Sequence, residues 1–430
     1  MIKLLLVNPP LDGAFPGLPL GLASLAAYLR EAKIDVHVLD AWAEHLNSET
    51  IGRMVEEIKP DLVGITVSTI NLESAIVTSR AIKKHLEIPI VIGGPHASAL
   101  PEQCLRDSPS IDFVVVGEGE ISLLDLARAV GSPGTNLETI NGLVHRRGDE
   151  IIRNSPRIPI ANLDSLPLPA RDLFPLERYR THLPYGRRSP YFTLITSRGC
   201  PFECIYCSNA VFGRSFRAFS PKRVIEELEL LVKKYGAREI HFYDDTFTFH
   251  KQRAVEICEG ILARNLSFDW SCTTRVDFVD RSLLELMKKA GCWLISYGVE
   301  SGNAEILRRA GKVYTLAQIH TAFSLTHSLG IKTLGFFMLG LPGETTRTIK
   351  DTIDLAMEME PDYISWSITS VLPGSRLHAM AGTGPVEECP PGGLKKAERN
   401  HPFAAGGTQS VVYEGALPRK LLLRYSYQAH

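Results

Sequence analysis

Short apolar runs alternate with stretches of helical spacing along most of this chain. Near the amino terminus, residues 2–7, 35–39, 61–67, 88–92 and 113–116 have the length and apolar content of buried strands. Between them, residues 21–31, 48–58, 72–85 and 121–130 carry apolar positions at helical intervals. Strands alternating with helices predict an α/β domain over residues 1–135, built on a doubly wound parallel sheet of Rossmann or flavodoxin type. Ligands on such sheets bind beyond the carboxyl ends of the strands.

The alternation resumes at residue 191, with runs at 191–196, 239–243, 267–273, 294–299, 333–339 and 363–369. Six β/α units fall short of the eight of a closed barrel, so residues 191–375 predict a partial, TIM-like barrel of six strands whose site lies at the strands' carboxyl ends. One of its helices, 224–235, places Val224, Leu228, Leu231, Val232 and Tyr235 on one face, with Ser220 and Pro221 marking its start. Residues 136–190 read as a connector: two short runs around Arg147-Gly-Asp149 suggest a hairpin, and recurrent prolines suggest an extended crossing that fixes the angle between domains. Residues 376–430 are rich in glycine and proline and read as a mobile or substrate-specific tail. Its last ten residues begin a helical pattern without a C-cap signal, as though a final element were cut short.

Composition narrows the class. The chain has 430 residues, 44% hydrophobic and 22% charged, which fits two globular domains. A net charge of -1 with no basic run argues against a nucleic-acid partner. No apolar run has the length of a membrane span, so no integral membrane segment is expected. The opening apolar run is too soon broken by Pro9 and Pro10 to be a signal peptide. Eight unevenly spaced cysteines suggest reduced thiols and a cytoplasmic location.

Candidate chemistry gathers at the strand ends. In the first domain these are Asn8-Pro-Pro10, Asp40, Thr66 to Ser68, Gly93-Gly-Pro-His96 and Gly117-Glu-Gly119, small and polar segments that suit a nucleotide or cofactor and also serve as ordinary turns. In the second, Cys200, Cys204 and Cys207 stand in the spacing C-x3-C-x2-C directly after a strand. A cubane iron-sulfur cluster normally takes four thiolates, so three suggest a cluster with one open iron. Structural zinc is the other reading, but such sites are closed by a fourth ligand, and Cys104, Cys258, Cys272, Cys292 and Cys389 are single and scattered. The same rim would carry Tyr243-Asp-Asp-Thr246, Arg275 with Asp277, Gly298 to Gly302 and Gly340 to Glu344. Each has a plain reading, as a helix cap, a surface ion pair or a turn. Their convergence on the cysteines favours a site.

The segment Thr196 to Cys207 resembles the radical S-adenosylmethionine (SAM) enzymes. The resemblance implies that Cys200, Cys204 and Cys207 bind a catalytic 4Fe-4S cluster whose open iron chelates the amino and carboxylate groups of SAM. It places Tyr206 near the adenine, Asp244 and Asp245 near the SAM amino group or substrate, Arg275 as a polar SAM contact, and Glu300 and Ser301 beside the ribose and methionine moiety. Asn8-Pro-Pro10, Leu18-Pro-Leu-Gly21, Gly93 to Ser98 and Val116 to Glu120 look like the cobalamin-binding domain that precedes many such barrels. That makes Asn8, Pro10, Gly21, Thr66, Ser68, Gly93, Gly94, Gly117 and Glu118 candidate cobalamin contacts. Some cobalamin domains ligate cobalt through the histidine of D-x-H-x-x-G. Here Ala14 stands in that place, so cobalamin should bind without it, with His96 a loop imidazole and not a substitute ligand.

The implied activity is reductive cleavage of SAM to a 5'-deoxyadenosyl radical and, with cobalamin, methylation of an unactivated carbon in a small-molecule substrate. An external electron donor such as flavodoxin or ferredoxin would be needed. Cyclases, ring contractases and other radical rearrangements share these motifs. A tRNA methylthiotransferase is disfavoured because residues 1–103 hold no cysteine for its second cluster. A non-catalytic cobalamin or redox sensor is the reading from another class.

Overall fold

Strand β1 (Lys3–Asn8) is buried on both of its faces. Leu4 and Leu6 enter one core with helices α1 (Leu20–Glu31) and α6 (Gly119–Val130). Leu5 and Val7 enter the other, with α2 (Ser48–Ile58), α3 (Leu72–His85) and α5 (Pro101–Asp107). Side chains alternate across a strand, so a run apolar at every position needs helices on both sides. The doubly wound arrangement follows from that requirement.

The protein is seen here as a computed structural model that describes residues 2–11, 16–132, 134–179 and 186–382, with two short strands, Lys395–Lys396 and Val411–Val412. It comprises two compact units. In the first, β2 (Asp35–Asp40), β3 (Leu62–Thr66), β4 (Ile90–Gly93) and β5 (Phe113–Val115) join β1 in a sheet continued by β6 (Leu143–Arg147) and β7 (Glu150–Arg153). The strand order is β2-β1-β3-β4-β5-β6-β7. The first five strands are parallel, and the order reverses between β1 and β3, where ligands of such folds bind.

The hairpin expected in the connector pairs antiparallel with β5 and forms the edge of this sheet. Two short helices, α4 (Pro95–Ala99) and α5, have no counterpart in the sequence reading, because five and seven residues are too few to show a helical period. His96 therefore sits in a helix and not in a loop. It is buried, with Nδ1 3.1 Å from the Thr69 hydroxyl, a hydrogen-bonded imidazole. Ala14 and the segment expected to replace D-x-H-x-x-G lie partly outside the described residues, as do Cys389 and most of the tail.

The second unit is a sheet of six parallel strands: β8 (Tyr191–Leu194), β11 (Glu239–Phe242), β12 (Asp269–Thr274), β13 (Cys292–Glu300), β14 (Lys332–Leu339) and β15 (Tyr363–Ile368). The strands lie in sequential order. Sequential order with right-handed crossovers carries the connecting helices to one face of the sheet, the geometry of a partial barrel. The crossovers contain α7 (Pro221–Lys233), α8 (Lys251–Ala263), α9 (Arg281–Lys289), α10 (Ala304–Arg309), α11 (Leu316–Ser328) and α12 (Thr346–Met359), and α13 (Arg376–Gly382) follows β15. Helix α7 starts as its sequence predicts: the Ser220 side chain accepts from the Arg223 N–H at 3.2 Å, and Pro221 occupies the first turn. Val224, Leu228 and Leu231 are buried, while Val232 and Tyr235 are half-buried.

The run expected to continue as strand to residue 196 stops at Leu194. Beyond it, β9 (Ser197–Arg198) pairs antiparallel with β10 (Arg217–Ala218), a two-residue ladder that closes the base of the cysteine loop. Among the described residues no helix is long and apolar enough to cross a membrane. Leu5→Ala would open a cavity in a core where Leu5 has no exposed surface. It should cost about 2–5 kcal/mol, read as a lower urea midpoint for the amino-terminal unit.

Candidate active site

The cysteine loop hangs between two anchors. At its start the Thr196 N–H and hydroxyl donate to Asp244 at 3.2 and 2.9 Å, and the Ser197 hydroxyl donates to the same carboxylate. Arg253 of α8 donates from Nη2 to the Thr196 carbonyl at 2.7 Å and from Nε to the Phe219 carbonyl at 2.9 Å, so one guanidinium holds both stems. Burial pushes the Asp244 carboxyl up, against Arg253 and the two hydroxyls. Asp244, expected near SAM, spends its acceptors on the loop itself. Its neighbour Asp245 is exposed.

Further along, Cys204, Ile205 and Tyr206 pack into an apolar cluster with Ile306, Ala310, Leu341, Val371 and Leu377. The Ile205 N–H donates to the Ala310 carbonyl at 3.1 Å, and the Leu377 N–H donates to the Ile205 carbonyl at 2.7 Å. Cys200 is half-buried, Cys204 buried and Cys207 exposed, and all described cysteines are free thiols. A hydrogen bond from Cys207 pushes Cys204 down to about 6, against burial and with help from Lys312, while the same bond holds Cys207 up. Burial also raises Cys200. No three His, Cys, Asp or Glu side chains among the described residues are gathered on one metal ion. A cluster bound through three separate irons asks for something else, three thiolates spaced along one loop.

The surrounding rim is charged and largely shut from water. Arg275 is buried and grips Asp277 through two bonds of 2.9 and 2.8 Å, so the pair is no surface ion pair. Its guanidinium lies 3.8 Å from the ring centre of Phe202, inside the cysteine loop. Glu300 ends β13 at φ 66°, where the register with β14 slips, and its carboxylate meets Lys312 Nζ at 3.1 Å. Burial opposes the charge on Lys312, yet Glu300, Tyr314 and Cys204 together push its pKa up. Ser301 is buried and 3.1 Å from the Thr352 hydroxyl, which ties the strand end to α12. Glu344 accepts from the Gly340 N–H and, at 3.1 Å, from the Leu341 N–H, and burial pushes its carboxyl up to about 7.

Among the described residues, the buried polar atoms on this rim without a hydrogen-bond partner include the Tyr206 hydroxyl, Arg275 Nη1 and Glu344 Oε1. Buried polar groups are nearly always paired, so these atoms are available to a ligand or to water. Together with three free thiols and a nearby ammonium, this donor set fits a cluster with SAM beside it. Sequence reasoning passed over Lys312, Tyr314 and Arg253. At Gly311, beside Lys312, φ is +82° and a Cβ would meet the Glu203 carbonyl at 2.5 Å, so that turn runs against the cysteine loop, which nothing local in the sequence shows.

In the amino-terminal unit the candidate cofactor residues do lie at strand ends, apart from Gly21 near the start of α1. Asn8 donates to Asp40 at 2.8 Å, and Tyr179 donates to the other oxygen of the same carboxylate at 2.5 Å. The Pro10 carbonyl accepts from Ser74 at 2.6 Å. Thr66 ends β3 beside Gly93, and the Ser68 N–H donates to Asn71 at 2.7 Å. Gly94 has φ +103°, and a side chain there would strike the Val67 carbonyl. The Gly117 N–H donates to Ser98 at 3.0 Å, and Glu118 accepts from the Ile160 N–H at 2.8 Å.

Two outcomes follow from this geometry. Glu344 binds its proton more tightly folded than unfolded. The stability it adds is therefore full below its ordinary value of 4.5 and is lost as pH rises through about 7. Glu344→Gln should flatten the fall in urea midpoint between pH 5 and 8. Asp244→Ala leaves buried donors unpaired at about 1–3 kcal/mol each. It should lower both the thermal midpoint and the iron retained after reconstitution, whereas Asp245→Ala should do neither.

The sequence matches the radical SAM superfamily over residues 194–356 and the B12 binding domain over residues 13–127. A Pyrococcus horikoshii protein described as an uncharacterized methyltransferase is 37% identical over 390 residues, 89% of this chain and 83% of its own. The anaerobic magnesium-protoporphyrin IX monomethyl ester cyclase of Rubrivivax gelatinosus is 32% identical over 373 residues, 85% of this chain and 66% of its own. Among solved structures, the radical SAM methyltransferase TsrM from Kitasatospora setae, with tryptophan substrate and a SAM analogue bound, superposes with a TM-score of 0.80. The match has 21% identity and covers 100% of this chain and 89% of TsrM. The cobalamin-dependent radical SAM enzyme OxsB gives 0.81 at 21% identity, over 97% of this chain and 65% of its own. At such identities these two matches show the fold. The family matches and the Pyrococcus relative show more: the chain belongs to the cobalamin-binding radical SAM enzymes, and its cofactors are a 4Fe-4S cluster, SAM and cobalamin.

Proposed function

We propose that this enzyme methylates an unactivated carbon of a small-molecule substrate, with Cys200, Cys204 and Cys207 as the cluster ligands. The observation that carries the reading is the cysteine loop, anchored at the strand ends and ringed by unpartnered buried polar atoms. When bound, the cluster supplies the electron that splits SAM into methionine and a 5'-deoxyadenosyl radical, and cobalamin supplies the methyl carrier.

The chain's own residues bind, orient and exclude water. Arg275, with its free Nη1, suits the carboxylate of SAM, and Tyr206 offers a buried ring beside the cysteines. Glu300, paired with Lys312, is assigned to the ribose side of SAM. Ser301 and Asp244 act one layer back, Ser301 fastening β13 to α12 and Asp244 fastening the loop. The amino-terminal unit, including its hairpin edge, is assigned to cobalamin through Asn8, Pro10, Gly21, Thr66, Ser68, Gly93, Gly94, Gly117 and Glu118. Residues 191–375 form the radical SAM barrel. A flavodoxin or ferredoxin in the cytoplasm is the proposed source of the electron, in keeping with free thiols throughout the described residues.

Cyclisation is the second reading, favoured by the cyclase from Rubrivivax gelatinosus among the relatives. Anaerobic reconstitution with reductant and methyl-deuterated SAM separates the two, since only methylation moves the label into a product other than methionine. Cys204→Ala should lose iron and yield no 5'-deoxyadenosine while keeping bound cobalamin. SAM cleavage by that variant would overturn the ligand assignment.

A further inference from the structure

Lys312 stands in none of the expected motifs, yet it is a buried charge at the site. Its side chain is 7% exposed and that of its partner Glu300 10%, with Nζ and Oε1 3.1 Å apart. The ammonium also lies 5.9 Å from the ring centre of Tyr206 and 5.6 Å from that of Tyr314, within reach of attraction by both π faces. Tyr206 is the residue before the last cysteine, so this cation is built against the loop. The backbone makes room for it. A Cβ at Gly298 would come within 2.7 Å of the Glu300 carboxylate and 3.4 Å of Lys312 Nζ. At Gly311 the turn before Lys312 runs against the backbone of Glu203 and Cys204.

A buried charge of this kind has to be held, and Glu300 and the two rings hold it. What it does for the site follows from charge. A thiolate-bound cluster becomes more negative by one charge on accepting an electron, and nearby charge is one of the factors that set cluster potentials. In a poorly hydrated setting a fixed cation acts strongly on such a change.

We propose that Lys312 is a positioning residue for the electron: clamped by Glu300 beside Tyr206 and Tyr314, it raises the reduction potential of the cluster on the cysteine loop. The step is a one-electron reduction. The electron comes from an external low-potential donor of the flavodoxin or ferredoxin class, and no bond is made or broken in the protein. This proposal rests on the cysteine assignment above.

The test is an EPR-monitored redox titration of the full chain, reconstituted anaerobically and free of SAM, with iron and sulfide counted in each sample. Lys312→Met should lower the ratio of reduced to oxidised cluster about tenfold at a fixed ambient potential, a shift of about 59 mV for one electron. Lys312→Arg should restore most of it. Glu300→Gln keeps the ammonium and removes the opposing charge, so its potential should rise, and this variant serves if Lys312→Met fails to load a cluster. An unchanged potential in Lys312→Met overturns the proposal, as does a fall in Glu300→Gln. Weakened SAM binding at constant potential, measured separately by calorimetry, also overturns it and makes Lys312 a SAM contact instead. A normal cluster in Cys204→Ala would instead defeat the cysteine assignment.

Discussion

Everything at this site depends on a loop being held still at its stems. Its apolar middle packs against the barrel, but packing alone does not fix where a flexible segment begins and ends. The Asp244 carboxylate and the Arg253 guanidinium do that, one collecting the donors of Thr196 and Ser197, the other the carbonyls of Thr196 and Phe219. Both are buried, so each bond forms where water cannot compete for it. These two residues hold the stems of the loop that carries Cys200, Cys204 and Cys207.

Residues of the rim thus sort into those that keep a buried polar atom unpaired and those whose polar atoms are spent on the frame. Arg275, Tyr206 and Glu344 each keep a polar atom unpaired in a buried place. Asp244 and Ser301 keep none to spare, since their oxygens are taken by Thr196, Ser197 and Thr352. Glu300 is held by Lys312 and set at the strand end by its left-handed backbone. Family motifs mark all these positions alike, and only the hydrogen-bond accounting tells them apart.

Much of the fold was legible in the chain. Strands buried on both faces read as unbroken apolar runs, and the helices at Ser48–Ile58 and Leu72–His85 matched their expected ranges to the residue. What stayed hidden depended on distance in space. The hairpin at Leu143–Arg147 looked like part of a connector because nothing local shows which strand it joins. The helices around His96 and Cys104 were too short to have a period. The cysteine triad was conspicuous from its spacing, which by itself left structural zinc open. Lys312 was not, because a single lysine between two helices shows neither that it will be buried nor against what.

The enclosure of the Lys312–Glu300 pair bears on the medium in which the enzyme works. Surface charges feel one another through mobile ions and weaken as salt is added, whereas a pair screened by protein scarcely responds. The electrostatics around the cysteines are therefore a property of the fold, carried unchanged between dilute and concentrated surroundings. An enclosed pair beside the cysteine loop keeps its influence there as salt is added.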